Sequence, residues 1–118
     1  MNKIINEILK FRNERDWEKY HKVKDLLIGL NIEVAELQEI FLWKDEGYTH
    51  NVEEISNELS DIFIFLVYIS DHFKIDLNKS IADKIVIHKQ HYPIKQSKGR
   101  NEKYTTIIQN KSKDEDHR

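Results

Sequence analysis

The 118-residue sequence lacks cysteine and contains only one proline and three glycines. The absence of cysteine excludes disulfides and thiolate metal sites. Because proline and glycine are the strongest breakers of regular structure, their scarcity predicts long helices joined by short loops. One glycine, Gly29, stands inside a predicted helix. There it either weakens the helix by about 1 kcal/mol relative to alanine or allows another group to approach closely.

Long apolar runs and an excess of one charge are also missing. The longest apolar run, "IFIFLVYI", is far shorter than the roughly 20 residues that cross a membrane. The N-terminal segment has acids and arginines where the apolar core of a signal peptide would lie. The formal net charge is −2, whereas nucleic-acid binders usually carry a basic excess. We therefore expect a cytoplasmic protein without membrane or nucleic-acid partners.

Apolar residues recur at helical spacing in four segments, and no segment shows convincing strand alternation. The third segment is apolar almost all round after Asp61, which predicts a central position or one at a subunit interface. The sequence predicts one all-α domain over residues 1–110 and a charged, disordered tail over residues 111–118. The predicted helices cover about Asn2–Asp16, Lys22–Lys44, Val52–Lys74 and Asn78–His91, with a loop over 44–51 and regular structure lost after Pro93.

Two of the predicted helices carry pairs of acids beside their apolar stripe. Glu33 and Glu36 are three residues apart, as are Glu58 and Asp61, so each pair shares one helix face. A helical hairpin would bring the pairs together, where unpaired carboxylates repel and raise each other's pKa values. No Lys or Arg lies three or four residues from these acids. A hard divalent cation such as Mg²⁺ would remove the conflict, and solvated helix faces are the alternative.

At these residues the sequence resembles the all-α nucleoside triphosphate pyrophosphohydrolases, the MazG-like superfamily, and within it the branch that contains dCTP pyrophosphatase. The resemblance covers about Phe11 to Thr105 and rests on the order of "RDWEKYH", the first acid pair, "ELSD" and "KY". It implies a four-helix MazG-like bundle that forms an intertwined dimer or a dimer of dimers, with sites built across subunits. It also implies a Mg²⁺-dependent reaction, with Mn²⁺ as a substitute, in which a nucleoside triphosphate and water give the monophosphate and diphosphate.

The resemblance further implies roles for individual residues. The four paired acids would bind the metal, and our hypothesis is that Glu36 or Glu39 accepts a proton from the attacking water. Aromatic and basic residues would enclose the base and hold the phosphates, with the segment around Gly99 closing over the triphosphate. The family usually has Tyr where this sequence has Phe65 and commonly Asn where it has His88. The implied metal ligands are Glu33, Glu36, Glu58 and Asp61, and the implied substrate-binding residues are Trp17, His21, Trp43, Phe65, Lys84, His88, Arg100, Lys103 and Tyr104.

The substrate expected from the resemblance is dCTP or a modified dCTP-like nucleotide, hydrolysed in a house-cleaning role. The departures at Phe65 and His88 leave dUTP or a broad set of triphosphates as alternatives. Two further alternatives belong to other classes. One is a non-catalytic helical oligomer that binds a nucleotide or a protein partner, and the other is a nucleic-acid-binding module that uses the basic segment from Lys95 to Lys103.

Overall fold

The computed structural model describes residues 2–99, and within that part of the chain all regular structure is helical. The prediction of an all-α protein is confirmed, and each of the four predicted helices ends within one turn of its observed bounds. The prediction that regular structure is lost after Pro93 is wrong for one short helix, which begins with a hydrogen bond from Ser97 N–H to the Pro93 carbonyl. The elements are α1 (Asn2–Glu14), a 3₁₀ turn (Glu18–Tyr20), α2 (Val23–Phe41), α3 (Val52–His72), α4 (Leu77–His91) and α5 (Ile94–Ser97).

The chain divides into two compact units, residues 1–77 and 78–118. The first unit contains α1, α2 and α3. The described part of the second unit contains α4, apart from its first residue Leu77, and α5. A single domain over residues 1–110 stays a prediction, and the tail predicted for residues 111–118 lies outside the described residues. None of the described helices combines the length and apolarity needed to cross a membrane.

Local signals explain where α3 begins and where α2 and α3 end. The Asn51 side chain accepts a hydrogen bond from the Glu54 N–H at 3.2 Å, which satisfies one of the free donors at the start of α3. Beyond the end of α3, Lys74 adopts a left-handed conformation with φ 55°. Trp43 does the same beyond α2 with φ 61°. Residues in this conformation commonly end helices, although glycine is the usual choice.

The core of the first unit is centred on α3, which packs against both α2 and α1, most extensively against α2. Val67 and Tyr68 on α3 and Leu26 on α2 are its buried hydrophobic residues. The central position predicted for the third helix is therefore confirmed within this unit. Most other apolar side chains of α1 to α3 keep substantial exposure, which matches the modest core expected of a short chain with 39% hydrophobic residues.

Candidate metal and active site

Three carboxylates meet where α2 and α3 pack together. One oxygen from each of Glu33, Glu36 and Glu58 lies within 4.8 Å of the other two. Glu33 and Glu58 are half-buried, whereas Glu36 is exposed. Side chains from two helices thus converge on one point at the protein surface. This carboxylate cluster, Glu33, Glu36 and Glu58, is the candidate metal site.

The cluster follows from the register of the α2–α3 hairpin. The two helices come into close contact where Gly29 on α2 meets Phe65 on α3. Moving four and then three residues forward from Gly29 gives Glu33 and Glu36, and the same steps backward from Phe65 give Asp61 and Glu58. Because such steps keep to one helix face, the acids of both helices lie on the facing surfaces.

Burial and the neighbouring carboxylates both raise pKa values in the cluster. Partial burial, followed by the nearby carboxylates of Glu58, Glu36 and Asp61, raises the pKa of Glu33 from 4.5 to about 7. Partial burial also raises the pKa of Glu58, with Glu36 and Asp61 adding to the effect and the contact with Glu33 opposing it. Without a cation, the cluster therefore retains a proton more readily than isolated carboxylates would.

The donor set fits a hard cation. The Oε2 atoms of Glu33 and Glu58 are buried and have no hydrogen-bond partner among the described residues. None of the ion pairs formed within residues 2–99 involves the cluster. A buried carboxylate oxygen without a donor is costly, and a divalent cation that prefers oxygen ligands at about 2.0–2.6 Å would satisfy several of them at once. The cluster can hold such an ion.

Asp61 and Glu39 are not members of the cluster. Asp61 is exposed and is not among the carboxylates within 4.8 Å of each other, but its charge contributes to the raised pKa values of Glu33 and Glu58. Glu39 is also exposed, one turn after Glu36 on α2. The structure therefore brings together three of the four predicted metal ligands. The fourth, Asp61, and the predicted proton acceptor Glu39 are each three residues from a member of the cluster in the sequence.

The predicted base-binding aromatic residues occupy different environments. Trp17 contacts Phe11 edge to face, with ring centroids 5.6 Å apart. Trp43 is 92% exposed, beyond the end of α2. Phe65 is half-buried against α2. The two indoles therefore lie outside the core, where an aromatic face is free to stack on a ligand.

His21 lies against α3 in a small polar cavity. Its ring centroid is 4.5 Å from that of Tyr68, and its buried Nδ1 atom has no hydrogen-bond partner among the described residues. Burial, with the positive charge of Arg12 adding, lowers the pKa of His21. Tyr68 and Arg12 also line the cavity, whose volume is about 260 Å³. At neutral pH His21 is thus a neutral ring with one unused nitrogen.

The remaining predicted substrate-binding residues follow the first unit in the sequence. Lys84 and His88 occur one turn apart on α4 in the second unit, and both are exposed. Arg100, Lys103 and Tyr104 lie outside the described residues. Gly99, the last described residue before them, has φ 76°, a left-handed conformation that suits glycine.

A buried arginine escaped the sequence analysis. Arg12 is only 3% exposed, and its Nη2 atom donates to Asp71 Oδ2 at 3.0 Å. The signal was present in the spacing, because Arg12 continues the inward stripe of Ile5 and Ile8 on α1, and Asp71 follows the buried Val67 by one turn on α3. Opposite charges at core positions of α1 and α3 would have predicted an ion pair between Arg12 and Asp71.

The fold and the site together define an all-α protein with a carboxylate cluster suited to a hard cation between two antiparallel helices. Residues 28–107 match the model of the MazG-like family. The chain belongs to the MazG-like family.

Named relatives extend the comparison. The chain is 34% identical to dCTP pyrophosphatase 1 of Rattus norvegicus over 105 residues, which cover 83% of this chain and 62% of the relative. It is 33% identical to dCTP pyrophosphatase 1 of Homo sapiens, with the same coverage. The chain thus spans 62% of the length of these curated relatives. It is also similar to the crystal structure of a pyrophosphatase from Archaeoglobus fulgidus, with a TM-score of 0.69 and 30% identity over 79% of this chain and 92% of the other.

Proposed function

We propose that this protein is a Mg²⁺-dependent nucleoside triphosphate pyrophosphohydrolase of the cytoplasm that acts on dCTP or a modified dCTP-like nucleotide. The observation that carries the proposal is the carboxylate cluster of Glu33, Glu36 and Glu58, with its two buried, unpartnered oxygens. The names of the relatives, dCTP pyrophosphatase 1 and a pyrophosphatase, support the reaction class. The departures at Phe65 and His88 bear on which base and sugar are preferred.

The reaction breaks the anhydride bond between the α- and β-phosphates. The oxygen of water forms a new bond to phosphorus, the monophosphate and diphosphate separate, and a carboxylate accepts a proton from the water. Such phosphoryl transfer depends on positioning and charge neutralisation more than on covalent help from the protein. A bound Mg²⁺ would neutralise the triphosphate and favour ionisation of water. The chain supplies the residues that hold the cation, the phosphates and the proton.

Different residues of the site bind the cation, accept the proton and contact the nucleobase. Glu33, Glu36 and Glu58 hold the cation, with Asp61 completing the set from one turn beyond Glu58. Glu39, exposed and one turn from Glu36, is free to take the proton from water. Glu36 is the alternative proton acceptor, although a carboxylate that binds a cation is a weaker base. Exposed Trp17 and Trp43 offer faces for the nucleobase.

A second copy of the chain is proposed to cover the apolar groove between α1 and α3. Ile4, Ile8, Leu59 and Phe63 line this groove, which has a volume of about 520 Å³. Ile4 is 47% exposed and Leu59 is 53% exposed. Contiguous apolar patches of this kind mark interaction surfaces, and a homodimer or homotetramer would bury it. The site would then lie close to the interface, since Leu59 directly follows Glu58.

The test of the reaction is release of diphosphate in the presence of Mg²⁺ from each of the eight common ribo- and deoxyribonucleoside triphosphates. Glu58→Gln is compared with Glu53→Gln, a matched control that removes one exposed acid from the same helix, outside the cluster. Turnover of dCTP that is lost only in Glu58→Gln supports the proposal. Turnover of another triphosphate keeps the reaction and changes the substrate, and no turnover of any triphosphate by a folded protein overturns the reaction for these substrates.

A further inference from the structure

Gly29 and Phe65 form an unusually close contact between α2 and α3. A Cβ atom built on Gly29 would lie 2.5 Å from both Cε1 and Cζ of Phe65, and 3.3 Å from Cδ1. Ordinary carbon–carbon contacts have an optimal separation of about 3.5–4.0 Å. The phenyl ring therefore rests directly on the bare backbone of α2, and no larger residue fits at position 29 unless the ring or a helix moves.

This contact forms the layer next to the acids. Glu33 follows Gly29 by one turn of α2, and Asp61 precedes Phe65 by one turn of α3. One turn of helix rises about 5.4 Å, so the ring and the nearest acids occupy adjacent layers of side chains. On the far side of the contact, Leu26 and Tyr68 are buried. The Gly29–Phe65 layer thus lies between the core and the cluster.

The acids cannot set the spacing of the helices by themselves. Like charges at this distance repel each other, and in the metal-free protein that repulsion pushes α2 and α3 apart at the cluster. The Gly29–Phe65 contact, one turn away on the same helix faces, is placed to oppose this separation. A glycine allows the shortest approach of two helix backbones, because it has no side chain to separate them.

We infer that Gly29 is a positioning residue, whose missing side chain lets Phe65 pack on α2 and holds Glu33, Glu36 and Glu58 close enough to share one cation. This inference rests on the proposed function, in which those three carboxylates bind the metal. Phe65 acts in it as the spacer between the helices, in addition to any contact with substrate. Neither residue has a side-chain atom that could bind a hard cation, so both would act through the distance between the acids.

The experiment compares Mn²⁺ affinity, measured by isothermal titration calorimetry, in the full chain and three variants. Gly29→Ala requires the ring or a helix to move by about 1 Å to reach an ordinary contact. We expect its Mn²⁺ dissociation constant to rise at least fivefold. The double variant Gly29→Ala with Phe65→Leu restores room for the new methyl group and returns the constant to within twofold of wild type. Gly47→Ala is the matched control, because nothing lies within 4 Å of a Cβ atom at that position, and it leaves the constant unchanged.

The alternative outcomes are distinct. Wild-type affinity in Gly29→Ala overturns the inference, and so does a folded double variant that fails to regain affinity. If Gly29→Ala does not fold, the double variant decides, and it must fold and bind Mn²⁺ as the wild type does. A wild-type protein that binds no Mn²⁺ overturns both proposals at the metal site. Diphosphate release by the wild type is measured separately, so that failure of the proposed reaction with intact Mn²⁺ binding leaves the positioning role supported.

Discussion

The Arg12 guanidinium donates to the Asp71 carboxylate across 3.0 Å, and this ion pair joins α1 to α3. The arginine side chain is almost completely enclosed, while that of Asp71 is 22% exposed. The guanidinium also lies over the ring of Tyr68, 5.7 Å from its centroid. The charged partners thus replace an apolar contact in the core of the first unit. Glu18 Oε2 also lies 3.7 Å from Arg12 Nη2, so the arginine compensates two carboxylates.

Loss of the arginine should destabilise the fold. Removing one partner of a buried pair leaves the other charge uncompensated, so we expect Arg12→Met to lower the free energy of unfolding by about 3 kcal/mol. Urea denaturation of the metal-free protein measures the change. Lys19→Met, which breaks the exposed pair with Asp16, is the control and should cost no more than about 1 kcal/mol. Equal effects of the two substitutions would contradict a buried role for the pair.

Addition of Mg²⁺ should stabilise the wild-type protein through the carboxylate cluster. A ligand present at 100 times its dissociation constant stabilises the folded state by about 2.7 kcal/mol. For a chain of this size that corresponds to a rise of about 5 °C or more in the melting temperature. The rise should vanish in Glu58→Gln and persist in Glu53→Gln, as measured by differential scanning calorimetry with and without EDTA. A rise that survives in Glu58→Gln would place the cation elsewhere.

The contribution of Glu33 to the stability of the metal-free protein should fall as the pH rises from about 4.5 to about 7. In that range folded Glu33, with its pKa raised to about 7, holds a proton that the unfolded chain, with a pKa of 4.5, has released. Folding therefore takes up a proton, and its free energy becomes less favourable until the pH exceeds the folded pKa.

His21 has the opposite effect on stability, since burial lowers its pKa and stability rises with pH up to its ordinary value of 6.5. The measurement that isolates Glu33 is therefore the difference in melting temperature between wild type and Glu33→Gln in EDTA from pH 5 to pH 8. Glu33→Gln should gain stability relative to wild type as the pH rises, and Glu53→Gln should not. Parallel curves for wild type and Glu33→Gln would show that the pKa of Glu33 is not raised.

Substitution of Glu36 and substitution of Glu39 should impair the proposed reaction in different ways. Glu36 belongs to the cluster, so Glu36→Gln should weaken Mg²⁺ binding and lower kcat/KM together. Glu39→Gln should leave Mg²⁺ affinity intact and lower kcat by about 10²-fold, the lower end of what a general base contributes. Steady-state kinetics measured over a range of Mg²⁺ concentrations separate the two. Full turnover by Glu39→Gln would remove it as the proton acceptor and leave Glu36 as the candidate.

Disruption of the α1–α3 groove should dissociate the proposed oligomer. Ile4 lines the groove, and a carboxylate at this position would have to be buried without a partner on association. We expect Ile4→Glu to shift the protein toward monomer in sedimentation velocity at micromolar concentration, with helical circular dichroism unchanged. Ile94→Glu is the control, because Ile94 is also exposed, does not line the groove and belongs to the second unit. A monomeric wild-type protein would contradict the proposal of self-association.

Much of the secondary structure was predictable from local sequence. The scarcity of glycine and proline and the recurrence of apolar residues located α1 to α4 to within a turn, because helical hydrogen bonds join residues only four apart. Asn51 and the acids Glu53 and Glu54 that follow it explain the start of α3 in the same local way. The four-residue helix α5 was missed, since a single turn is too short to show a period.

The sequence by itself determined which acids share a helix face, because the spacing of Glu33 with Glu36 and of Glu58 with Asp61 is a local property of helices. Only the tertiary structure decided which of them meet. The register of α2 against α3 brings Glu58, rather than Asp61, within 4.8 Å of Glu33 and Glu36, and it places Phe65 on Gly29. The pairing of Arg12 with Asp71 likewise depends on how α1 packs. Contacts between residues distant in the chain depend on how side chains fit between helices, and periodicity within one helix carries no information about that fit.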